Sequence, residues 1–195
     1  TTGSQTEVGN STNSYSLTWD GTAKQGNYTV SEDLGTLTVT SVTSKVTVTI
    51  KGHTGGEKYS GSEQTVSGYD VESISNSLYT AGDFAFNGTA EVKATDASET
   101  AYPMGLEAGQ FENRNSNFTN VEFVVEDGSL TISPREVVMT SGTASKPYDG
   151  TPLTNGEVTE SGDGFVEGEG AAYTVTGTIT DVGSEDNTFS YKLNE

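Results

Sequence analysis

The chain has 195 residues, 28 acidic against 9 basic side chains, a formal net charge of -19, no Cys and a single His. So acidic a surface repels phosphate backbones and anionic headgroups, which excludes nucleic acid and argues against membrane surfaces as partners. Without Cys there is no disulfide framework, zinc-thiolate site or thiol nucleophile, and no apolar run approaches the roughly 20 residues of a membrane span.

Only 31% of the chain is apolar, and Ser and Thr exceed a quarter of it. The order of residues nevertheless predicts strands rather than disorder. Leu37-Thr38-Val39-Thr40 alternates apolar and polar side chains, and Val46-Thr47-Val48-Thr49-Ile50 repeats the pattern. That period of two belongs to strands with one face buried and one wet, where the branched Cβ of Thr suits the pleat. Ser77 to Asp83 is the best helical candidate and accounts for a turn or so. Leu130-Thr131-Ile132 and Tyr173 to Thr180 complete the alternating runs. Clusters of Gly, Asn, Asp and Ser between them read as turns. The fold class is all-β, expected as small sandwich modules (Ig-like or β-grasp-like) arranged end to end. Core candidates are Leu37, Val39, Val46, Val48, Ile50, Tyr69, Val71, Phe84, Phe86, Phe123, Val125, Leu130, Ile132, Tyr173, Val175 and Ile179.

Two self-similarities organise the chain. Thr2-Gly3-Ser4-Gln5-Thr6-Glu7-Val8-Gly9 matches Thr176-Gly177-Thr178-Ile179-Thr180-Asp181-Val182-Gly183. The match runs on from Asn13-Ser14-Tyr15-Ser16 to Asn187-Thr188-Phe189-Ser190 at the same offset of 174. Lys58-Tyr59-Ser60-Gly61 aligns with Pro147-Tyr148-Asp149-Gly150 at an offset of 89, which also carries Val48 and Ile50 onto Val137 and Met139. Gly35-Thr36-Leu37-Thr38-Val39 resembles Gly128-Ser129-Leu130-Thr131-Ile132 at an offset of 93. The expected organisation is one complete β-repeat over 41–134, flanked by the closing half (1–40) and the opening half (135–195) of a second type. Tandem modules of this size imply a quasi-one-dimensional string, straightest at low salt because its acidic modules repel. Half a sandwich exposes an apolar face and open strand edges. The ends are therefore expected to be completed from a longer array, which the repeat arithmetic favours, or by strand addition between neighbouring chains.

Lys146 to Thr154 (Lys-Pro-Tyr-Asp-Gly-Thr-Pro-Leu-Thr), the run Tyr173 to Thr180 and Asp181-Val182-Gly183 resemble the YDG/MBG-type repeats of large bacterial surface adhesins and wall-anchored proteins, many from Gram-positive gut bacteria. Lys58-Tyr59-Ser60-Gly61, Tyr102-Pro103-Met104-Gly105 and Asp127 to Ile132 look like a sister repeat, with Ser60 where the pattern has Asp. The resemblance covers essentially the whole chain. It implies a non-enzymatic, extracellular or wall-anchored stalk or fibre segment, with neighbouring repeats of the same protein as head-to-tail partners. It brings no catalytic residues.

Candidate chemistry is sparse. In Tyr148-Asp149-Gly150 the Asp is expected to accept a backbone N–H two residues on, Gly150 to take positive φ, and Tyr148 to lid the sandwich. His53 reads as an exposed loop residue, with nothing to suggest a Ser-His-Asp triad. Asp163, Glu167 and Glu169 in one acidic loop, and Asp181 and Asp186 in another, are weak calcium candidates, since calcium takes six to eight oxygens. A solvated loop is the first reading of both. Lys45, Lys51 and Lys93 lie near strands, but none sits in the apolar run that an isopeptide bond to Asn needs. Sequons place candidate glycans at Asn10, Asn27, Asn87 and Asn117. Trp19, Tyr28, Tyr69, Tyr79, Tyr102 and Tyr173 could offer a sugar-stacking platform, although filling thin cores is the first reading. A carbohydrate- or mucin-binding module, or one stiffened by calcium, is the alternative to a plain stalk.

Overall fold

A computed structural model describes residues 1–194. The chain is all-β, as its alternation predicts. In order, the strands are β1 (Gly9–Thr12), β2 (Thr36–Val39), β3 (Val46–Gly52), β4 (Thr54–Lys58), β5 (Gln64–Ser67), β6 (Tyr69–Ile74), β7 (Phe84–Phe86) and β8 (Glu91–Ala94). They continue with β9 (Tyr102–Pro103), β10 (Phe111–Asn113), β11 (Val121–Glu126), β12 (Ser129–Ser133), β13 (Val137–Ser141), β14 (Val158–Gly162), β15 (Ala171–Val175) and β16 (Phe189–Leu193). Among the described residues helix is confined to three single 3-10 turns, Gln25–Asn27, Ala81–Asp83 and Ala108–Gln110. The second ends the stretch read as helical, and the Thr80 and Asp83 side chains box its start, with Thr80 N–H 2.6 Å from the Asp83 carboxylate. No described helix is long and apolar enough to cross a membrane.

Two compact units emerge: Thr1–His53 with Gly68–Ala90 and Gly105–Gly128, and Thr54–Ser67 with Glu91–Met104 and Ser129–Glu195. The segment 41–134 thus contributes to both units, whereas the sequence reading treats it as one module. The sheets are small, with two or three strands each.

In the first unit β3 is central. It pairs parallel with β11 and antiparallel with β6. Val46, Val48 and Ile50 are fully buried, while the intervening Thr47 and Thr49 remain partly accessible. Phe111 forms the aromatic hub, with ring centroids 4.9 Å from Phe86, 5.2 Å from Tyr69, 5.6 Å from Phe123 and 6.0 Å from Phe84. Burial of such rings is the main favourable term in a thin core. Asp127 supports this core from the loop after β11, accepting the Gly105 and Leu106 backbone N–H groups at 3.0 and 2.7 Å.

In the second unit β12 lies between β4, to which it runs parallel, and β9, to which it runs antiparallel. Leu130, Ile132, Val92 and Met104 are its buried apolar side chains. Two further pairs, β13 with β14 and β15 with β16, follow.

Every buried side chain among the described residues falls between Val46 and Ile132. Of the expected core, Tyr69, Val71, Phe84, Phe86, Phe123 and Val125 are half buried but pack against the buried cluster, whereas Leu37, Val39, Tyr173, Val175 and Ile179 are half buried outside it. Their strands form two-stranded ribbons or single bridges, which cannot cover one face completely.

The sequence offsets reappear as hydrogen bonds. Ile50, Lys51 and Gly52 of β3 face Val71, Asp70 and Tyr69. Met139, Thr140 and Ser141 of β13 face Glu160, Thr159 and Val158. The offset of 89 carries these three pairs of one register onto the other, while the bulge after Thr49 displaces Val48 and Thr49 by one residue relative to Val137 and Val138. Similarly, Thr2 and Gly3 N–H groups both donate to the Ser14 carbonyl, at 2.8 and 3.1 Å. Thr176 and Gly177 do the same to Thr188, at 2.8 and 3.0 Å. Each of these glycines lies against an asparagine: an added Cβ would stand 2.7 Å from the Asn13 Cα and 2.5 Å from the Asn187 Cα.

Candidate functional site

Two carboxylates of the acidic loop after β14 are engaged by basic and phenolic groups, while Glu167 and Glu169 stay exposed. The β4 strand ends in Lys58, and the turn Tyr59-Ser60-Gly61 follows, with Gly61 at a φ of +74°. Lys58 Nζ donates to both Asp163 carboxylate oxygens, at 2.7 and 2.8 Å. The Tyr59 hydroxyl donates to the Glu169 carboxylate. Arg135 spans the two segments: Nε donates to the Gly164 carbonyl at 2.7 Å, and the guanidinium also reaches the carbonyls of Asp163 and Tyr59. Asp163 further accepts the Glu136 N–H at 3.0 Å and returns a backbone bond to Glu136. Gly61 approaches Val166 so closely that a Cβ there would be 3.0 Å from Val166 Cγ2. A hollow of about 350 Å³ adjoins the clasp, bounded by Tyr59, Pro134, Phe165 and Glu169.

The electrostatics follow from these bonds. The Asp163 carboxyl is held below its ordinary range, first by the Lys58 ammonium and then by the Glu136 N–H, with the charges of Lys58 and Arg135 adding to the effect. The Tyr59 phenol is raised, chiefly because its proton is shared with Glu169. A carboxyl with a depressed folded-state pKa stabilises fully above its unfolded value, near pH 4, and loses that contribution as pH falls through the folded value. Acidification from pH 6 to 3 is therefore expected to lower the protection factors of amides in 163–169, taken relative to their intrinsic exchange rates at each pH, before those of β3. Exchange measured by NMR across that range checks this, and equal loss in both segments would contradict it.

The other calcium candidates make no contact in this clasp. Glu167, Asp181 and Asp186 are exposed. Among the described residues no three acidic or His side chains gather into a group that could hold a metal.

The Tyr148-Asp149-Gly150 turn takes the expected backbone. Asp149 accepts the Thr151 N–H at 2.9 Å, and Gly150 has a φ of +78°. Lys146 Nζ adds a bond to Asp149 at 2.8 Å, and it is the main reason that this carboxyl lies far below the usual range. Tyr148 is no lid: it is 65% exposed.

Asn10 and Asn117 are tied into structure: Asn10 accepts from the Thr38 hydroxyl at 2.7 Å, and Asn117 joins Glu7 and the Val8 N–H. Asn87 donates to Glu112 at 3.2 Å, and Asn27 is exposed in its 3-10 turn. Lys45, Lys51 and Lys93 each pair with glutamates. His53, which links β3 to β4, has Nε2 3.3 Å from the Asp70 carboxylate.

Of the aromatic candidates, Tyr69 and Tyr79 pack in the core, and Tyr79 is 2% exposed. The Tyr102 hydroxyl donates to the Asp96 carbonyl. The Tyr173 hydroxyl donates to Glu160 at 2.5 Å, which pushes its pKa up to about 12. Trp19 and Tyr28 remain together near the surface, with centroids 5.8 Å apart and Tyr28 61% exposed. The clasp itself has no sequence motif. Only the shared Tyr-x-Gly turn marks half of it. Comparison with protein-family models, curated proteins and solved structures gave no match.

Proposed function

We propose that the chain is a non-enzymatic structural repeat, a stalk or fibre segment of an extracellular, wall-anchored bacterial surface protein of the kind that the YDG/MBG resemblance implies. In this reading tandem β-sandwich modules stand end to end, with a complete repeat over 41–134 between halves of a second type at 1–40 and 135–195. Neighbouring repeats are the partners. The observation that carries the reading is the strand register shared over three residue pairs 89 residues apart, joined by the matching end bonds 174 residues apart. A sequence that repeats its hydrogen-bonded register is repeating a structural unit.

The Lys58–Asp163 and Tyr59–Glu169 clasp then acts as a joint between one repeat and the next. It engages Asp163 and Glu169, two of the five calcium candidates, and it stiffens the short link at Pro134. Exposed ion pairs are individually weak, so several such bonds across one link are needed to limit its bending.

A second reading, a carbohydrate- or mucin-binding module, draws on the Trp19–Tyr28 pair, since a partly accessible ring beside an exposed one suits stacking on a sugar. A calcium titration of thermal stability together with a glycan array separates these readings. For the stalk, millimolar calcium leaves the melting temperature unchanged and no glycan is retained. A rise in melting temperature with calcium, or glycan retention abolished by Trp19→Ala, would replace it with the calcium-stiffened or lectin reading.

A further inference from the structure

A continuous cleft runs along the second unit between the segments 141–148 and 177–187, floored by Leu153 and Ile179. Its two adjoining parts measure about 490 and 400 Å³. From the repeat organisation proposed above, on which this inference rests, we infer that the cleft is a strand slot for the segment Thr36–Thr40 of a second copy of this repeat.

The complete repeat supplies the template. There the closing strand β12 lies between β4, in parallel, and β9, antiparallel. Ser129 faces Thr54, Leu130 faces Gly55, Thr131 faces Gly56, Ile132 faces Glu57 and Ser133 faces Lys58. The offset of 93 carries β12 onto β2, and the offset of 89 carries β4 onto 143–147. The register required of the incoming strand is therefore Thr36 opposite Thr143, Leu37 opposite Ala144, Thr38 opposite Ser145, Val39 opposite Lys146 and Thr40 opposite Pro147. No strand partner occupies that edge of 143–147 in the chain.

The other wall of the cleft gives the same answer independently. In β1 and β2, Gly9 faces Val39, Asn10 faces Thr38, Ser11 faces Leu37 and Thr12 faces Thr36. The offset of 174 turns Gly9 to Thr12 into Gly183 to Asp186, which form the cleft's second rim and have no strand partner here. Two separate repeat relations thus direct one strand into one gap, parallel to one rim and antiparallel to the other, as in the complete repeat.

Chemistry agrees with the register. Leu130 and Ile132 are buried in β12, at 2% and 0% exposure. Their equivalents Leu37 and Val39 are only half buried, and β2 has one edge open. Thr36–Thr40 carries no charge, so it enters beside Asp181, Glu185 and Asp186 without repulsion. An open strand edge beside a groove with Leu153 and Ile179 at its floor is the arrangement that strand addition fills.

A whole second copy would also bring residues that duplicate 175–195, so the shortest competent partner is the segment 22–40. The test appends a second copy of residues 22–40 directly after Glu195, which preserves the 174-residue spacing. Hydrogen exchange at the amides of 143–146 and 183–186 is then compared with that in the unextended chain. Closure of the slot should slow these amides by about 100-fold, as expected for a paired strand. An appended segment carrying Leu37→Asp and Val39→Asp should leave them fast. Unchanged exchange, or equal slowing with the doubly substituted segment, would overturn the slot. That failure would leave the stalk reading standing, because calcium and glycan binding are read separately.

Discussion

Phe111→Ala is expected to destabilise the first unit by about 3–5 kcal/mol, the range for emptying a buried aromatic site. Phe111 is 6% exposed, and four other rings close around it, so none can move into the void without leaving its own partners. Urea unfolding followed by the exchange of β3 amides checks the loss. A decrease below about 1 kcal/mol would mean that the aromatic cluster collapses freely, and the unit's core would then rest on β3 alone.

Gly52→Ala is the second substitution with a large expected effect. A Cβ at Gly52 would lie 2.3 Å from the Gly128 nitrogen and 2.7 Å from its Cα. Both opposing atoms are backbone, so no side chain can swing aside. The last residues of β3 must then part from the loop that follows β11. A cost of about 3 kcal/mol, the upper end for overpacking, is expected in the same urea titration. Gly109→Ala, with open space around its Cβ, is the control and should change stability little. Equal effects of the two would remove close approach as the reason for glycine at position 52.

Much of the fold was legible because it rests on alternation. Val46, Val48, Ile50, Leu130 and Ile132 follow a period of two, and all are fully or almost fully buried. Leu106, Phe111 and Phe118 escaped the reading although they are buried too, and Tyr79 was legible only as an aromatic suited to fill a thin core. They sit in loops or at the edges of three-residue strands, where no periodic signal can build up. Leu37 and Tyr173 show the opposite error: their alternation is regular, but burial needs a second layer that a two-stranded ribbon lacks. At the candidate site, the acidic loop was visible as composition. Its partners were not, because Lys58 and Tyr59 lie about a hundred residues away in the chain, and the sequence alone does not state which distant cations meet it. Tyr59 and Tyr148 occupy equivalent turns, yet only the first finds a carboxylate. Repeat equivalence therefore conveys backbone conformation without conveying the neighbour.

The stalk reading is tested most directly by joining residues 1–174 to a second copy of residues 1–195, so that the repeat continues in phase, and measuring the radius of gyration by small-angle scattering. Modules strung end to end raise it nearly in proportion to length, about 1.9-fold over the single chain. A two-period chain that folds as one compact body raises it only about 1.3-fold, since a globule's radius grows as the 0.38 power of length. The larger increase is the expected result, and the smaller one would contradict the end-to-end repeat.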